Sequence, residues 1–172
     1  MIETFRAIDA NGAVIAVREQ APEDAAFLYA LFRANNLRTL ELSGLPLAFL
    51  DDIIAMQHNS RMQTYRGLFP SAVWSLVQCD GKPVGEIVEH DEGDYMYVVD
   101  IALLPEWQAK GLGTALMREV MGRCATRGIG VRAKVAISNG PSLKMFRKLG
   151  FQASPPDEVS FIEWRLPAAV TP

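Results

Sequence analysis

The segment Gln108-Ala109-Lys110-Gly111-Leu112-Gly113 carries the plainest chemistry in this chain. An apolar run ending in Leu104-Pro105 leads into a Gly-x-Gly pair, and a helical pattern follows. The first four N–H groups of a helix have no internal partner, and the helix dipole favours an anion there. Glycine removes the Cβ, so a phosphate can approach the backbone closely. Lys110 adds a cation at the rim. The chemistry implied is phosphate or pyrophosphate binding. Two familiar phosphate motifs do not fit. A P-loop ends in Gly-Lys-Ser/Thr, whereas Gly111-Leu112-Gly113-Thr114 has no lysine in that position. A dinucleotide fingerprint needs a third glycine where Leu116 stands. It also needs an acid about 20 residues on, and that region reads Thr126-Arg127-Gly128.

The elements around this loop follow from patterning. Apolar residues on both sides of Ala10-Asn11-Gly12 predict an N-terminal hairpin over 2–18, because Asn-Gly supplies the positive φ of a tight turn. Pro22-Glu23-Asp24 opens a helix with Phe27/Leu31 and Leu28/Phe32 at i, i+4, fading near Asn35-Asn36. A second helix follows Ser43-Gly44 over 46–63, with Leu47, Leu50 and Ile54 as its stripe and a polar end from Gln57 to Arg61. Residues 72–78, Pro83 to Glu89 and Tyr95 to Leu104 form a meander turned at Asp80-Gly81 and Asp91-Glu92-Gly93-Asp94. The third run is apolar on both faces, the mark of a central strand. Leu112, Leu116, Val120 and Cys124 recur at four-residue spacing and predict a helix ended by Gly128. A strand over Val131–Ile137 and a short helix over Ser142–Leu149, stopped by Gly150, come next. A strand begins at Phe151, Pro155-Pro156-Asp157 turns, and Val159 to Leu166 is the last strand. The class is mixed α/β, in one domain over 1–166 with a loose tail over 167–172.

Composition narrows the function. The net charge is −3 and no dense Lys/Arg block occurs. Duplex binding draws its affinity from neutralised phosphates, so nucleic acid is not expected. Cys79 and Cys124 form no C-x-x-C pair, and His58 and His90 lie far apart without ligand spacing, so no metal is expected. No apolar run approaches the ~20 residues of a membrane span, and the N-terminus does not read as a signal peptide. A cytoplasmic location without membrane partners is the resulting expectation.

The loop resembles the Gln/Arg-x-x-Gly-x-Gly/Ala acetyl-CoA motif of the GNAT superfamily of N-acetyltransferases. The likeness starts in the strand Val98-Val99-Asp100-Ile101-Ala102-Leu103 with Pro105 and runs through the helix to Gly128. It resumes at Asn139-Gly140-Pro141-Ser142, with Phe146 four residues beyond and a closing Leu149-Gly150-Phe151, which is similar to that family's second cofactor segment. The resemblance implies a mixed sheet of about seven strands with flanking helices and two parallel strands, Tyr95–Leu104 and Val131–Ile137, splayed around a pantetheine arm. It implies that the backbone of Ile101, Ala102 and Leu103 holds that arm. The N–H of Leu103 would polarise the thioester carbonyl. Gln108 opens the motif, and amides of Ala109, Lys110, Gly111, Leu112, Gly113 and Thr114 would take the pyrophosphate. Asn139 would meet the pantetheine, with Ser142 and Phe146 near the thiol. Asn139 before Gly-Pro is also a plain turn or helix cap.

The implied reaction is acetyl transfer from acetyl-CoA to an amine of a small molecule or peptide. Asp100, a lone carboxylate in an apolar strand, is the first candidate base, on the reasoning that burial raises a carboxyl towards useful values. Glu86 and Glu89 are reserves acting through water. Many members of the superfamily carry a tyrosine where Phe146 stands, and some carry a carboxylate where Lys134 stands. Tyr95 or Tyr97, or water, would then protonate the leaving thiolate. That departure keeps a second reading open, a non-catalytic acyl-CoA sensor of the same fold. Residues 36–70, including Tyr65, Arg66 and Phe69, are the expected acceptor wall. A homodimer is left open.

Overall fold

The computed structural model describes residues 5–8, 12–41, 46–155 and 160–168. The strand β1 (Phe5–Ile8) pairs antiparallel with β2 (Val14–Glu19). The expected turn at Ala10-Asn11 lies outside the described residues, as do Ile2, Ser43-Gly44, Pro156-Asp157, Val159 and most of the tail. Two helices follow, α1 (Ala25–Glu41) and α2 (Leu47–Leu68). The meander is β3 (Val73–Cys79), β4 (Lys82–Asp91) and β5 (Tyr95–Leu103). Then come α3 (Leu112–Arg127), β6 (Gly130–Ala136), α4 (Gly140–Lys148), β7 (Gln152–Ala153) and β8 (Phe161–Leu166).

All eight strands join one sheet in the order β1-β2-β3-β4-β5-β6-β8-β7. Among the described residues the strands number eight, close to the seven or so expected, and the two-residue β7 is the strand expected from Phe151, an edge beside β8. Every neighbouring pair is antiparallel except β5 and β6. One face is an apolar core where Leu112, Leu116, Met117, Val120 and Cys124 of α3 meet Ile87, Val98, Leu103 and Val131 of the sheet. On the other face α1 packs against α2 and lies over β4 and β5.

Both N-terminal helices run past their expected ends. Asn35 and Asn36 do not stop α1, because their side-chain amides donate to the Leu31 and Phe32 carbonyls one turn back. That bond keeps the short amide inside the helix instead of competing with it. Helix α2 continues through its polar segment because His58 and Arg61 face inwards. The His58 ring meets Tyr29 and Phe32 edge-on at 5.5 and 5.2 Å, and the Arg61 guanidinium lies 5.0 Å from the Tyr65 ring centroid.

Two irregularities in the central strands shape the site. The first is a bulge. Val88 pairs with Asp100 but Glu89 pairs with Val98, so Val99 is an extra residue on β5. Side chains alternate along a strand, and one inserted residue exchanges the faces beyond it. Met96 and Val98 therefore share the α3 core with Ile101 and Leu103. In an unbulged strand Asp100 would enter that core; the bulge turns it to the α1–α2 face. The second is a split. The β5–β6 ladder runs from Tyr95↔Gly130 to Val98↔Ala133 and ends. Beyond it β5 continues against β4 to Leu103, and β6 continues against β8 to Ala136. The two parallel strands part, as the resemblance implied.

Candidate active site

The parted strands open a cleft of about 630 Å³. One wall is Asp100, Ile101, Ala102 and Leu103; the floor of one end is the glycine loop and the first turn of α3; the far wall is Asn139, Pro141, Ser142 and Met145 of α4. Phe32, Asn35, Asn36, Arg61 and Glu86 close the end under α1 and α2. The volume falls in the usual range for a small-molecule site.

The β5 backbone offers donors to this cleft. Leu104 N–H donates to the Val84 carbonyl at 2.9 Å, so that residue faces β4. Alternation turns the N–H groups of Ile101 and Leu103 the other way, into the gap where β6 is absent. Close approach of β4 here depends on Gly85, where a Cβ would collide with the Ala102 carbonyl and with Leu103. The Leu103 carbonyl is already engaged. Asn35 Nδ2 donates to it at 3.1 Å and Gln108 Nε2 at 2.9 Å, and Gln108 Nε2 also reaches Asn35 Oδ1 at 2.7 Å. Two donors fill both lone pairs of a carbonyl. Leu103 can therefore serve a ligand through its N–H alone, and the Gln108 side chain serves the loop's own shape.

The loop ends in Gly111 at φ 90°, the N-cap of α3, with no side-chain cap. The first intrahelical bond is Ala115 N–H to Gly111 O at 2.9 Å, which leaves the earlier amides of the turn without a helical partner. No acidic residue stands in that turn. A Cβ on Gly111 would meet nothing within 4 Å, and one on Gly113 would meet only the Met145 sulfur at 3.6 Å. Protein packing therefore does not require glycine at position 113. Bare amides facing open space suit a diphosphate. At α4, Asn139 Oδ1 accepts from Ser142 N–H at 3.2 Å, so Asn139 caps its helix while also lining the cleft.

The side chains of Leu112, Lys110 and Phe146 point away from the cleft, which leaves the amides expected of Leu112 and Lys110 untouched. Leu112 is a core residue, 1% exposed. Lys110 turns outwards, its Nζ 5.4 Å from the Trp107 ring centroid. Phe146 is buried, its ring edge-on to Phe151 at 4.9 Å and stacked near Trp164 at 6.0 Å. The neighbour Met145, unnoticed in the sequence, lines the cleft in its place. Tyr97 also departs from expectation. It sits on the zipped part of β5 opposite Arg132, with Phe69 at 5.3 Å and the Arg132 guanidinium 3.9 Å from its ring centroid. It is not among the cleft-lining residues, and burial raises its phenol above the ordinary value.

Asp100 and Glu86 do reach the cleft, but Asp100 is not isolated. Arg61 Nη2 donates to Glu86 Oε1 at 2.7 Å and also to Asp100 Oδ2. Glu86 Oε2 accepts from Gln20 Nε2 at 3.1 Å. The reserve Glu89 belongs to a different pair, accepting from Arg123 at 2.8 Å. Arg61 was read only as part of a polar helix end. The signal was present in the spacing 50, 54, 58, 61 and 65, which puts His58, Arg61 and Tyr65 on the stripe of Leu50 and Ile54. Among the described residues no cluster of His, Cys, Asp or Glu suits a metal, and no helix is long and apolar enough to cross a membrane.

The model of the acetyltransferase (GNAT) family matches residues 34–151, and the chain belongs to that family. Among solved structures it is similar to the PaiA N-acetyltransferase from Thermoplasma acidophilum in complex with coenzyme A, at 17% identity and a TM-score of 0.66, over 89% of this chain and 98% of that one. RimL, a ribosomal alpha-N-protein acetyltransferase in complex with coenzyme A, matches at 13% identity and TM-score 0.64, over 91% and 96% of the two chains. The ribosomal-protein-S18-alanine N-acetyltransferase from Escherichia coli matches at 17% and TM-score 0.60, over 92% and 96%. At these identities the likeness is one of fold.

Proposed function

We propose that the protein transfers an acetyl group from acetyl-CoA to a primary amine of a small molecule or peptide, by direct attack on the thioester. The observation that carries this reading is the continuity of one cleft. It runs from the uncapped amides of α3, past the open N–H groups of Ile101 and Leu103, to the carboxylate of Asp100. The coenzyme A seen in two similar structures supports the ligand. The α3 amides would receive the diphosphate and the β5 edge would hold the pantetheine. Leu103 N–H would stabilise the negative charge that develops on the thioester oxygen.

An alkyl amine has a pKa near 10, so only about one molecule in a thousand is uncharged at pH 7. Asp100 would draw in the ammonium and accept its proton, directly or through water. The leaving group needs little help, since a free thiol has a pKa of about 8.5 and the thiolate is a fair leaving group. The cleft lining includes the hydroxyls of Thr114 and Ser142 and no phenol. Water is the natural proton source. A charged cluster at the acceptor end, beyond the reach of a cofactor's phosphates, favours catalysis over a sensor. The test is thiol release from acetyl-CoA across a panel of amines, amino acids and peptides. Release with at least one amine is expected; saturable acetyl-CoA binding with no transfer to any amine would reject the reading.

A further inference from the structure

Two carboxylates at the acceptor end share one cation. Both Glu86 and Asp100 accept from the same nitrogen of Arg61, so they lie within a single guanidinium of each other. Glu86 is the inner partner, 7% exposed in its side chain, with its second oxygen taken by Gln20. Asp100 is the outer one at 30%, and among the described residues its Oδ1 has no partner. Among the described residues the other titratable groups facing the pair come from α2, and none is a second cation. Burial first, and then Arg61, hold His58 below its ordinary value, so its imidazole is neutral at pH 7. Burial raises the Tyr65 phenol, which stays protonated. Two carboxylates share one guanidinium, so acid outnumbers cation in the cluster, and both acids line the cleft.

We propose that Arg61 is a positioning residue for the acceptor step, holding Glu86 and Asp100 charged side by side and reserving the open Asp100 oxygen for the ammonium of the incoming amine. The role of the amine rests on the acetyl-transfer reading; the charge arrangement does not. Without the cation, two adjoining and largely buried carboxylates repel, and the cheaper state takes up a proton. That proton would sit on the pair that must accept one from the amine.

The test uses the full chain without ligand, then with acetyl-CoA and an amine. Infrared spectra of Arg61→Met at pH 7 are expected to show the carbonyl stretch of a protonated carboxyl that wild type lacks, and adding Asp100→Asn should remove it. In turnover, the acid limb of the kcat/KM profile should move up far enough to cost about tenfold at pH 7, with the loss recovered at higher pH. Acetyl-CoA affinity should hold within about twofold, and Arg61→Lys should restore most of the rate. Should Arg61→Met fail to fold, Arg61→Gln keeps a donor without the charge and carries the same measurement. No new carboxyl band, or an unmoved acid limb, would overturn the proposal. A wild type inert towards every amine, with the band present in the variant, would instead overturn the acetyl-transfer reading and with it the acceptor role, leaving the shared charge.

Discussion

The two ends of the cleft are built from different materials. The cofactor end is mostly main chain: uncapped amides of α3, a strand edge freed where β6 departs, and glycines with no packing duty. The acceptor end is side chain, drawn from four elements: Gln20 after β2, Arg61 on α2, Glu86 on β4 and Asp100 on β5. A backbone site depends on fold geometry and a few glycines, so it tolerates change in most side chains. A side-chain cluster depends on every member, and replacing one leaves a buried charge uncompensated. The comparison predicts that damage at one end should leave the other working.

The largest separation is expected from Asp100→Asn. Turnover should fall by about 10²- to 10⁴-fold, while acetyl-CoA affinity measured by calorimetry stays within about twofold. Equal losses in both would mean that the two ends are one site. Gly111→Glu should do the reverse. At φ 90° an L-residue is strained by about 1–2 kcal/mol, and its carboxylate would face the diphosphate. Acetyl-CoA affinity should drop by about a hundredfold or more in calorimetry, with the circular dichroism of the fold retained.

The proposed cofactor end drew attention in the sequence because its signals are local. A Gly-x-Gly helix start, an apolar strand before it and an Asn-x-x-Ser helix start after it are each contiguous. The departure there is one of orientation: Phe146 sits within the right segment, but helical geometry turns its ring into the core. The acceptor end was only half legible. Asp100 stood out as an acid among apolar neighbours, yet its partner Arg61 lies 39 positions away. The bulge at Val99, which turns Asp100 out of the α3 core, has no marker such as glycine. Tyr97 was placed in the wrong part of β5 because the point where β6 departs is set by tertiary packing.

Smaller effects sharpen the same contrast. Phe146→Tyr adds a hydroxyl to a ring buried against Phe151 and Trp164. A buried hydroxyl without a partner costs about 1–3 kcal/mol, so denaturant midpoints should fall while kcat does not rise. A faster variant would show that the ring reaches the thiol. The smallest effect belongs to a pair just ahead of α1. Asp24 accepts from both terminal nitrogens of Arg18 at 2.7 Å and from Ala21 N–H at 2.8 Å. Those bonds, led by Arg18, hold its carboxyl below the ordinary 3.8. A lowered folded value stabilises the fold above the unfolded value, and that contribution fades as pH falls through the folded one. Asp24→Asn should cost about 1 kcal/mol at pH 7 and converge with wild type in strong acid, with turnover and acetyl-CoA affinity unchanged. A stability gap that persists in acid would remove the charge from the explanation.

The most direct measurement follows backbone amide resonances during titration with coenzyme A and, separately, with pantetheine, which lacks the diphosphate. Gly111, Leu112, Gly113 and Thr114 should shift strongly with coenzyme A and hardly with pantetheine, while Ile101 and Leu103 respond to both. Saturable coenzyme A binding that leaves the first turn of α3 unmoved would contradict the assignment of the diphosphate to that helix end.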